Sequence, residues 1–68
     1  MNDDSINMQI RRFLKKVGIN SQREIENAIR SAMDNGQLGD GDSVDAVMTL
    51  KIEALDIDLA IVDSLKIE

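Results

Sequence analysis

The sequence predicts an α+β fold in which two N-terminal helices pack on a small antiparallel β-sheet of two or three strands. Three observations lead to this class. Apolar side chains recur every three or four residues in the first half of the chain, which is typical of amphipathic helices. A polar stretch with three glycines follows, and beyond Ala46 the apolar spacing changes to two, which is typical of half-buried strands. A chain of 68 residues is long enough for one domain only, so we assign residues 1–68 to a single small domain.

The first helix is predicted over residues from about 5 to 17. Its apolar stripe would consist of Ile6, Ile10, Phe13, Leu14 and Val17. Asp3, Asp4 and Ser5 suit a helix N-terminus, because they can accept hydrogen bonds from unpaired N–H groups and complement the positive end of the helix dipole. Gly18 suits the left-handed position that ends many helices, so we place the end of this helix there.

The second helix is predicted over residues from about 22 to 35. Ser21 and Glu24 match a capping box, in which each side chain bonds to the backbone of the other residue. The buried stripe would consist of Ile25, Ala28, Ile29, Ala32 and Met33. Asn35 and Gly36 are typical of a helix end. The short connection between the two helices would form a compact corner.

A loop is predicted over residues 36–45 and a β region over residues 46–68. Apolar residues first alternate with polar ones, and the alternation then changes phase at Ala54-Leu55. Because one extra residue turns every later side chain to the other face, a bend, bulge or turn is expected at that point. The strand before it would pair in antiparallel fashion with a later strand that ends at 64–68.

The composition excludes much of the common equipment for catalysis and metal binding. The chain contains no cysteine, no histidine and no tyrosine, which removes disulfides, thiolate and imidazole ligands, and several of the usual nucleophiles and bases. The acidic loop from Asp40 fails as a calcium loop, because Val44, Asp45 and Lys51 occupy the places that require an oxygen ligand, a glycine and a glutamate. We therefore expect a protein that is not an enzyme and that uses no metal or cofactor.

Basic residues are concentrated in the first half of a chain whose net charge is −5. Residues 1–33 carry six basic and four acidic side chains, whereas residues 34–68 carry two and nine. The six are candidate partner-binding residues: Arg11, Arg12, Lys15, Lys16, Arg23 and Arg30. The first four fall within an arc of about 140° on the first helix. They indicate either a docking face for an acidic protein partner or the ordinary solvated side of an amphipathic helix.

Two helices joined by a short corner also raise the question of a helix-turn-helix. Arg23 and Arg30 of the second helix have side chains that can read bases. However, Glu24 and Glu26 lie at the same end of that helix, and the acidic second half of the chain would repel phosphates. The hypothesis that the sequence favours is a non-catalytic protein-interaction module. The alternative is a nucleic-acid-binding accessory protein that uses the basic faces of both helices.

Small size favours self-association. A chain of this length buries a small core, and without disulfides or metals such domains often gain stability from a partner chain. A sheet with few strands also leaves open edges, so we expect a homodimer formed through the sheet edge or its apolar face. No apolar run is long enough for a membrane span, and the acidic N-terminus lacks the features of a secretory signal. A cytoplasmic location is therefore expected.

Three segments, Asn7–Ile19, Ser21–Glu26 and Met48–Glu53, carry a resemblance that covers most of the chain. In these segments the chain resembles a family of small uncharacterised bacterial proteins, a domain of unknown function of similar length. After Ala54 the sequence departs from the family pattern of glycines and a short hairpin. The resemblance implies a bacterial origin, but it implies no activity, cofactor or catalytic residue.

Overall fold

The computed structural model describes residues 1–68 and consists of one long helix and one β-hairpin. Helix α1 spans Asp3–Asp34, strand β1 spans Ser43–Ile52 and strand β2 spans Ile57–Lys66. A short 3₁₀ turn at Glu53–Leu55 lies between the strands. The α+β class predicted from the sequence is confirmed.

The residues group into two compact units. The helix unit comprises Met1–Gln37 and the hairpin unit comprises Leu38–Glu68.

The prediction of two helices is wrong, because α1 runs without interruption through the residues assigned to a corner, 18–20. The glycines with positive φ are Gly36 and Gly41, so Gly18 is an ordinary helical residue, and Ser21 lies inside the helix rather than at its start. Continuity has a physical cause. At 100° per residue, the stripes predicted for the two helices overlap on one continuous helix, with the second stripe centred about 80° further around the axis than the first. A break would leave backbone N–H and C=O groups without intrahelical partners and would not improve the apolar face.

The N-terminus of α1 is capped by Asn2. Its side-chain oxygen accepts a hydrogen bond from the Ser5 backbone N–H at 3.1 Å, which satisfies one of the unpaired donors of the first turn. Asp3 and Asp4 lie in that first turn, where carboxylates interact favourably with the positive end of the helix dipole. The helix therefore begins two residues before the predicted start.

The C-terminus of α1 ends in a Schellman motif. The Gly36 N–H donates to the Met33 carbonyl at 3.2 Å, and the Gln37 N–H donates to the Ala32 carbonyl at 2.9 Å, which is the bond pattern of that motif. Gly36 adopts a φ of +82°, a left-handed conformation that favours glycine. The helix thus ends where the Asn35-Gly36 pair predicts.

The two strands form an antiparallel two-stranded sheet and pair along their full length. The chain reverses through the turn Glu53–Leu55 and through Asp56, a non-glycine residue with a left-handed φ of 53°. The turn therefore lies where the change of phase at Ala54-Leu55 predicts it.

Strand β1 begins at Ser43, earlier than the predicted strand start at Ala46, so the preceding loop is shorter than predicted. Two hydrogen bonds extend the pairing of the strands into the end of that loop. The Ile67 N–H donates to the Asp42 carbonyl at 2.8 Å, and the Gly41 N–H donates to the Ile67 carbonyl at 2.7 Å. Ile67 is the one buried residue of the chain, with 7% of its surface exposed.

Candidate functional site

The six partner-binding residues predicted from the sequence lie on one side of α1, a surface that we call the basic face. They are Arg11, Arg12, Lys15, Lys16, Arg23 and Arg30, and all are exposed. Because α1 is continuous, an ideal helix places all six within an arc of about 140°, and the first and last are about 28 Å apart along the axis. The structure thus brings together residues that sequence analysis assigns to two separate helices.

Acidic and amide side chains lie among these cations. Glu26 shares the basic face, and its carboxylate accepts a hydrogen bond from the Gln22 side-chain amide at 2.9 Å. The Arg30 guanidinium donates to Asn27 Oδ1 at 3.5 Å, a distance at which a hydrogen bond is weak. The positive charge of the basic face is therefore reduced by Glu26 but not cancelled.

The apolar side chains of α1 form a second surface, the apolar stripe, which turns away from the basic face. Its members are Ile6, Ile10, Phe13, Leu14, Val17, Ile25, Ala28, Ile29 and Ala32. They fall within an arc of about 160° of an ideal helix, and Glu24 lies in the same arc. Met33, which was predicted as a member of the stripe, falls outside this arc at the angle of Lys15. Ile10 is 48% exposed, and Phe13 and Leu14 are each 53% exposed, whereas side chains of these types are usually buried. The stripe is therefore a surface without a cover in the helix unit. Helix α1 lacks a segment that is both long and apolar enough to cross a membrane.

One face of the hairpin is also almost wholly apolar. The opposed pairs on this face are Val44–Leu65, Ala46–Asp63, Met48–Ile61, Leu50–Leu59 and Ile52–Ile57. Leu59 and Ile61 remain 51% and 56% exposed. The other face carries the opposite charges of Lys51 and Asp58 directly across from each other. Since an isolated two-stranded sheet is only marginally stable in water, its apolar face requires a cover that the hairpin unit does not contain.

No metal centre is assembled from the acidic side chains, since residues 1–68 contain no group of three or more that is arranged to hold an ion. In the glycine-rich loop, the Asp42 carboxylate accepts a hydrogen bond from the Gly39 N–H at 2.9 Å, which is a structural role. Depressions on α1, such as the one lined by Glu26, Ile29 and Met33, are open and lie between side chains of a single helix.

The structure defines a small α+β chain with a continuous amphipathic helix and a β-hairpin, and its prominent surface features are two exposed apolar faces and one basic face. Among known families, one family model matches residues 1–68. The chain belongs to that family, the family of unknown function DUF6494. The resemblance to a domain of unknown function is thereby confirmed. No curated protein and no solved structure matches the chain.

Proposed function

We propose that this protein is a non-catalytic interaction module that works by self-association, as a homodimer. One observation carries the proposal: each unit has an apolar face and contains nothing to cover it. The helix unit has one helix, and the hairpin unit has two strands and a short turn. Contiguous exposed apolar patches commonly mark interaction surfaces in soluble proteins.

The exposure of large apolar side chains supports association. Phe13 and Leu14 of the helix unit are each 53% exposed, and Leu59 and Ile61 of the hairpin unit are 51% and 56% exposed. Side chains of these types are usually buried in folded proteins. A second copy of the chain can supply a cover without any other component.

Sedimentation equilibrium over a wide range of chain concentrations tests the proposal. We expect a mass that rises to twice the 7.5 kDa of the chain. Helical circular dichroism should rise as the dimer forms, because most helical stability in proteins comes from packing of an amphipathic face rather than from intrinsic propensity. A mass that remains that of one chain up to about 1 mM, where association would be worth only about 4 kcal/mol, would refute self-association.

The basic face supports a second candidate function, nucleic-acid binding. The observation that favours it is the alignment of six cations along about 28 Å of one helix, a length over which duplex DNA carries roughly 16 phosphate charges. The acidic hairpin unit opposes it, since residues 38–68 hold eight acidic and two basic side chains. The same face would equally suit an acidic protein partner.

Fluorescence anisotropy with a labelled DNA duplex tests this second candidate. Binding through the basic face would show a dissociation constant of about 10⁻⁴ to 10⁻⁶ M at physiological salt and a log–log salt slope no steeper than about −5 for six phosphate contacts. The triple variant Arg12→Glu, Arg23→Glu, Arg30→Glu would abolish it. The double variant Lys51→Glu, Lys66→Glu makes the same kind of charge change on the hairpin and is the control. The triple variant changes the net charge by six units and the control by four, so losses in log affinity in that proportion would mean that net charge alone matters.

A further inference from the structure

Strand β1 forms one open edge of the two-stranded sheet. In an antiparallel pair, the N–H and C=O groups of alternate residues point toward the partner strand, and those of the remaining residues point outward. The Asp42 carbonyl accepts a hydrogen bond from the Ile67 N–H of the opposite chain segment, which fixes the alternation along β1. The residues of β1 whose backbone groups point outward are therefore Ser43, Asp45, Val47, Thr49 and Lys51. All five are exposed, and no side chain of the hairpin unit bonds to their N–H groups.

The edge of β2, by contrast, is partly closed. By the same alternation the Ser64 N–H points outward, and the Asp63 carboxylate accepts a hydrogen bond from it at 2.7 Å. Asp63 is also the one charged residue on the apolar face of the hairpin. A charged residue on the inward face of an edge strand is a common protection against pairing with another strand. Strand β1 has no such residue, so its edge is the one available for pairing.

The charges of β1 make its edge complementary to a second copy of itself. Its charged residues are Asp45 and Lys51, three positions before and three after Met48. If two β1 strands pair in antiparallel fashion with Met48 opposite Met48, each Asp45 lies opposite the Lys51 of the other copy. Asp45 and Lys51 both have outward backbone groups, so they form a hydrogen-bonded pair, and Met48 forms a non-hydrogen-bonded pair with its copy.

Neighbouring registers that keep the same hydrogen-bond pattern fit the charges less well. Centring the pair on Val47 would place Asp45 opposite Thr49 and Lys51 opposite Ser43. Centring it on Thr49 would place Asp45 opposite Glu53, and like charges directly opposite each other are destabilising. The charges therefore select the register centred on Met48.

We propose that β1 of one chain pairs antiparallel with β1 of a second copy, with Met48 at the two-fold axis, so that two hairpins form one four-stranded sheet. This inference rests on the proposed self-association and names the surface that performs it. The contact is isologous, so the pair of Asp45 and Lys51 occurs twice, and opposite charges that face each other across strands are stabilising. A two-stranded sheet is marginally stable by itself, whereas a sheet of three or more strands with an apolar face can be stable.

Disulfide trapping tests the edge and the register, and the absence of native cysteine makes each product unambiguous. Met48→Cys should link to its own copy on oxidation, because Cα atoms of a non-hydrogen-bonded pair are about 4.5 Å apart and a disulfide spans about 4.4–6.8 Å. Ile61→Cys is the matched control, since Ile61 lies directly opposite Met48 on the same face of the hairpin. Two copies of residue 61 would be three strand spacings apart, about 14 Å, and should not link.

Exchange of charges tests the energetics. Asp45→Lys should weaken the dimer by about tenfold or more, because it places two lysines opposite each other twice. Within the hairpin Asp45 faces the uncharged Ser64, so this substitution breaks no charge pair there. Asp34→Lys makes the same change of charge at the end of α1 and should change the dissociation constant by no more than about threefold.

A mixture of two variants separates the contact between copies from the stability of each hairpin. Lys51→Glu alone should also weaken the dimer by about tenfold or more, because it places two carboxylates opposite each other twice. An equimolar mixture of the Asp45→Lys and Lys51→Glu chains should form a mixed dimer with a dissociation constant at least about tenfold below that of either variant alone. A loss caused by a weaker hairpin would persist in the mixture.

The outcomes distinguish this inference from the function on which it rests. A native chain that stays monomeric refutes self-association and the strand contact together. A native dimer in which Met48→Cys does not link, in which Ile61→Cys links as readily, or in which mixing the charge variants restores nothing refutes the contact through β1 while self-association stands. Selective linking at residue 48 with recovery of the dimer in the mixture supports both.

Discussion

The substitution Gly18→Ala distinguishes a continuous helix from a corner at residues 18–20, because the two conformations predict opposite changes in the free energy of unfolding. Sequence analysis places Gly18 at the end of a first helix, whereas the structure places it in the interior of α1. In a helix interior, alanine is more favourable than glycine by about 1 kcal/mol. Within one chain, open space surrounds the position, with nothing within 4 Å of a built Cβ, so no clash inside the chain offsets this gain.

We therefore expect Gly18→Ala to raise the free energy of unfolding by about 1 kcal/mol, which corresponds to a rise in Tm of about 4–8 °C for a chain of this size. Gly36→Ala is the matched control. Its φ of +82° lies in the left-handed region, where an L side chain costs about 1–2 kcal/mol. Open space also surrounds Gly36, so this control measures only the cost of the left-handed backbone conformation. The Tm of Gly36→Ala should therefore be lower than that of the native chain.

Thermal unfolding followed by helical circular dichroism provides the measurement. Native chain and variants must be compared in the same oligomeric state, verified by sedimentation, because association adds to apparent stability. A fall in Tm for Gly18→Ala similar to that for Gly36→Ala would show that Gly18 has a left-handed conformation, and the continuous helix would be refuted.

Three further substitutions test the ends and turns of the two units. Asn2→Ala removes the acceptor for the Ser5 N–H and should cost about 1 kcal/mol, seen as faster amide exchange in the first turn, whereas Asn7→Ala in the helix interior should not. Asp56→Gly relieves the left-handed φ of 53° and should stabilise the chain to urea by up to about 1 kcal/mol, while Asp58→Gly within β2 should destabilise it. Lys51→Glu places two carboxylates opposite each other across the hairpin and should cost about 0.2–1 kcal/mol. Adding Asp58→Lys should restore the loss in the same urea titration, and a double variant that stays as unstable as the single one would contradict the pairing.

The hairpin turn and the helix end were predictable because each depends on a local rule. Asn35-Gly36 supplies the left-handed residue that a Schellman motif needs, and the structure has that motif there. The change of phase at Ala54-Leu55 requires a turn because side chains alternate strictly along a strand. In both places a few neighbouring residues determine the conformation.

The corner at residues 18–20 was predicted wrongly because two local signals outweighed a longer-range one. Gly18 and the Ser21–Glu24 pair are typical of helix ends, but neither forces an end. The period of the apolar residues carries the contrary signal. Leu14 and Ile25 are eleven residues apart, or about three turns, so part of the apolar face continues across the supposed corner. This overlap is the signal in the sequence that favours one helix.

The candidate site was predictable in its residue types but not in its arrangement. The six cations are plain in the sequence, but their alignment on one face depends on the continuity of α1, which sequence analysis did not anticipate. The uncovered stripe is also beyond sequence reasoning, because the pattern of Ile10 and Leu14 predicts an apolar face without saying what covers it. The faces that each unit leaves exposed are known only when the bounds of the helix and strands and the pairing of the strands are known.

Self-association through the edge of β1 and binding through the basic face are compatible, because the two surfaces belong to different units of the chain. Association through the apolar stripe is compatible with binding as well. On an ideal helix Arg12, Arg23 and Arg30 lie about 160–180° from the centre of the stripe. Two α1 helices packed through their stripes would therefore carry their two sets of cations on opposite outer sides. One rigid DNA duplex could contact only one set of cations at a time, so dimerisation would add little to the affinity of the protein for DNA. Asp45→Lys should then weaken the dimer without weakening binding through the basic face, whereas the triple charge reversal at Arg12, Arg23 and Arg30 should do the opposite. If either variant removes both properties, the two surfaces do not act separately.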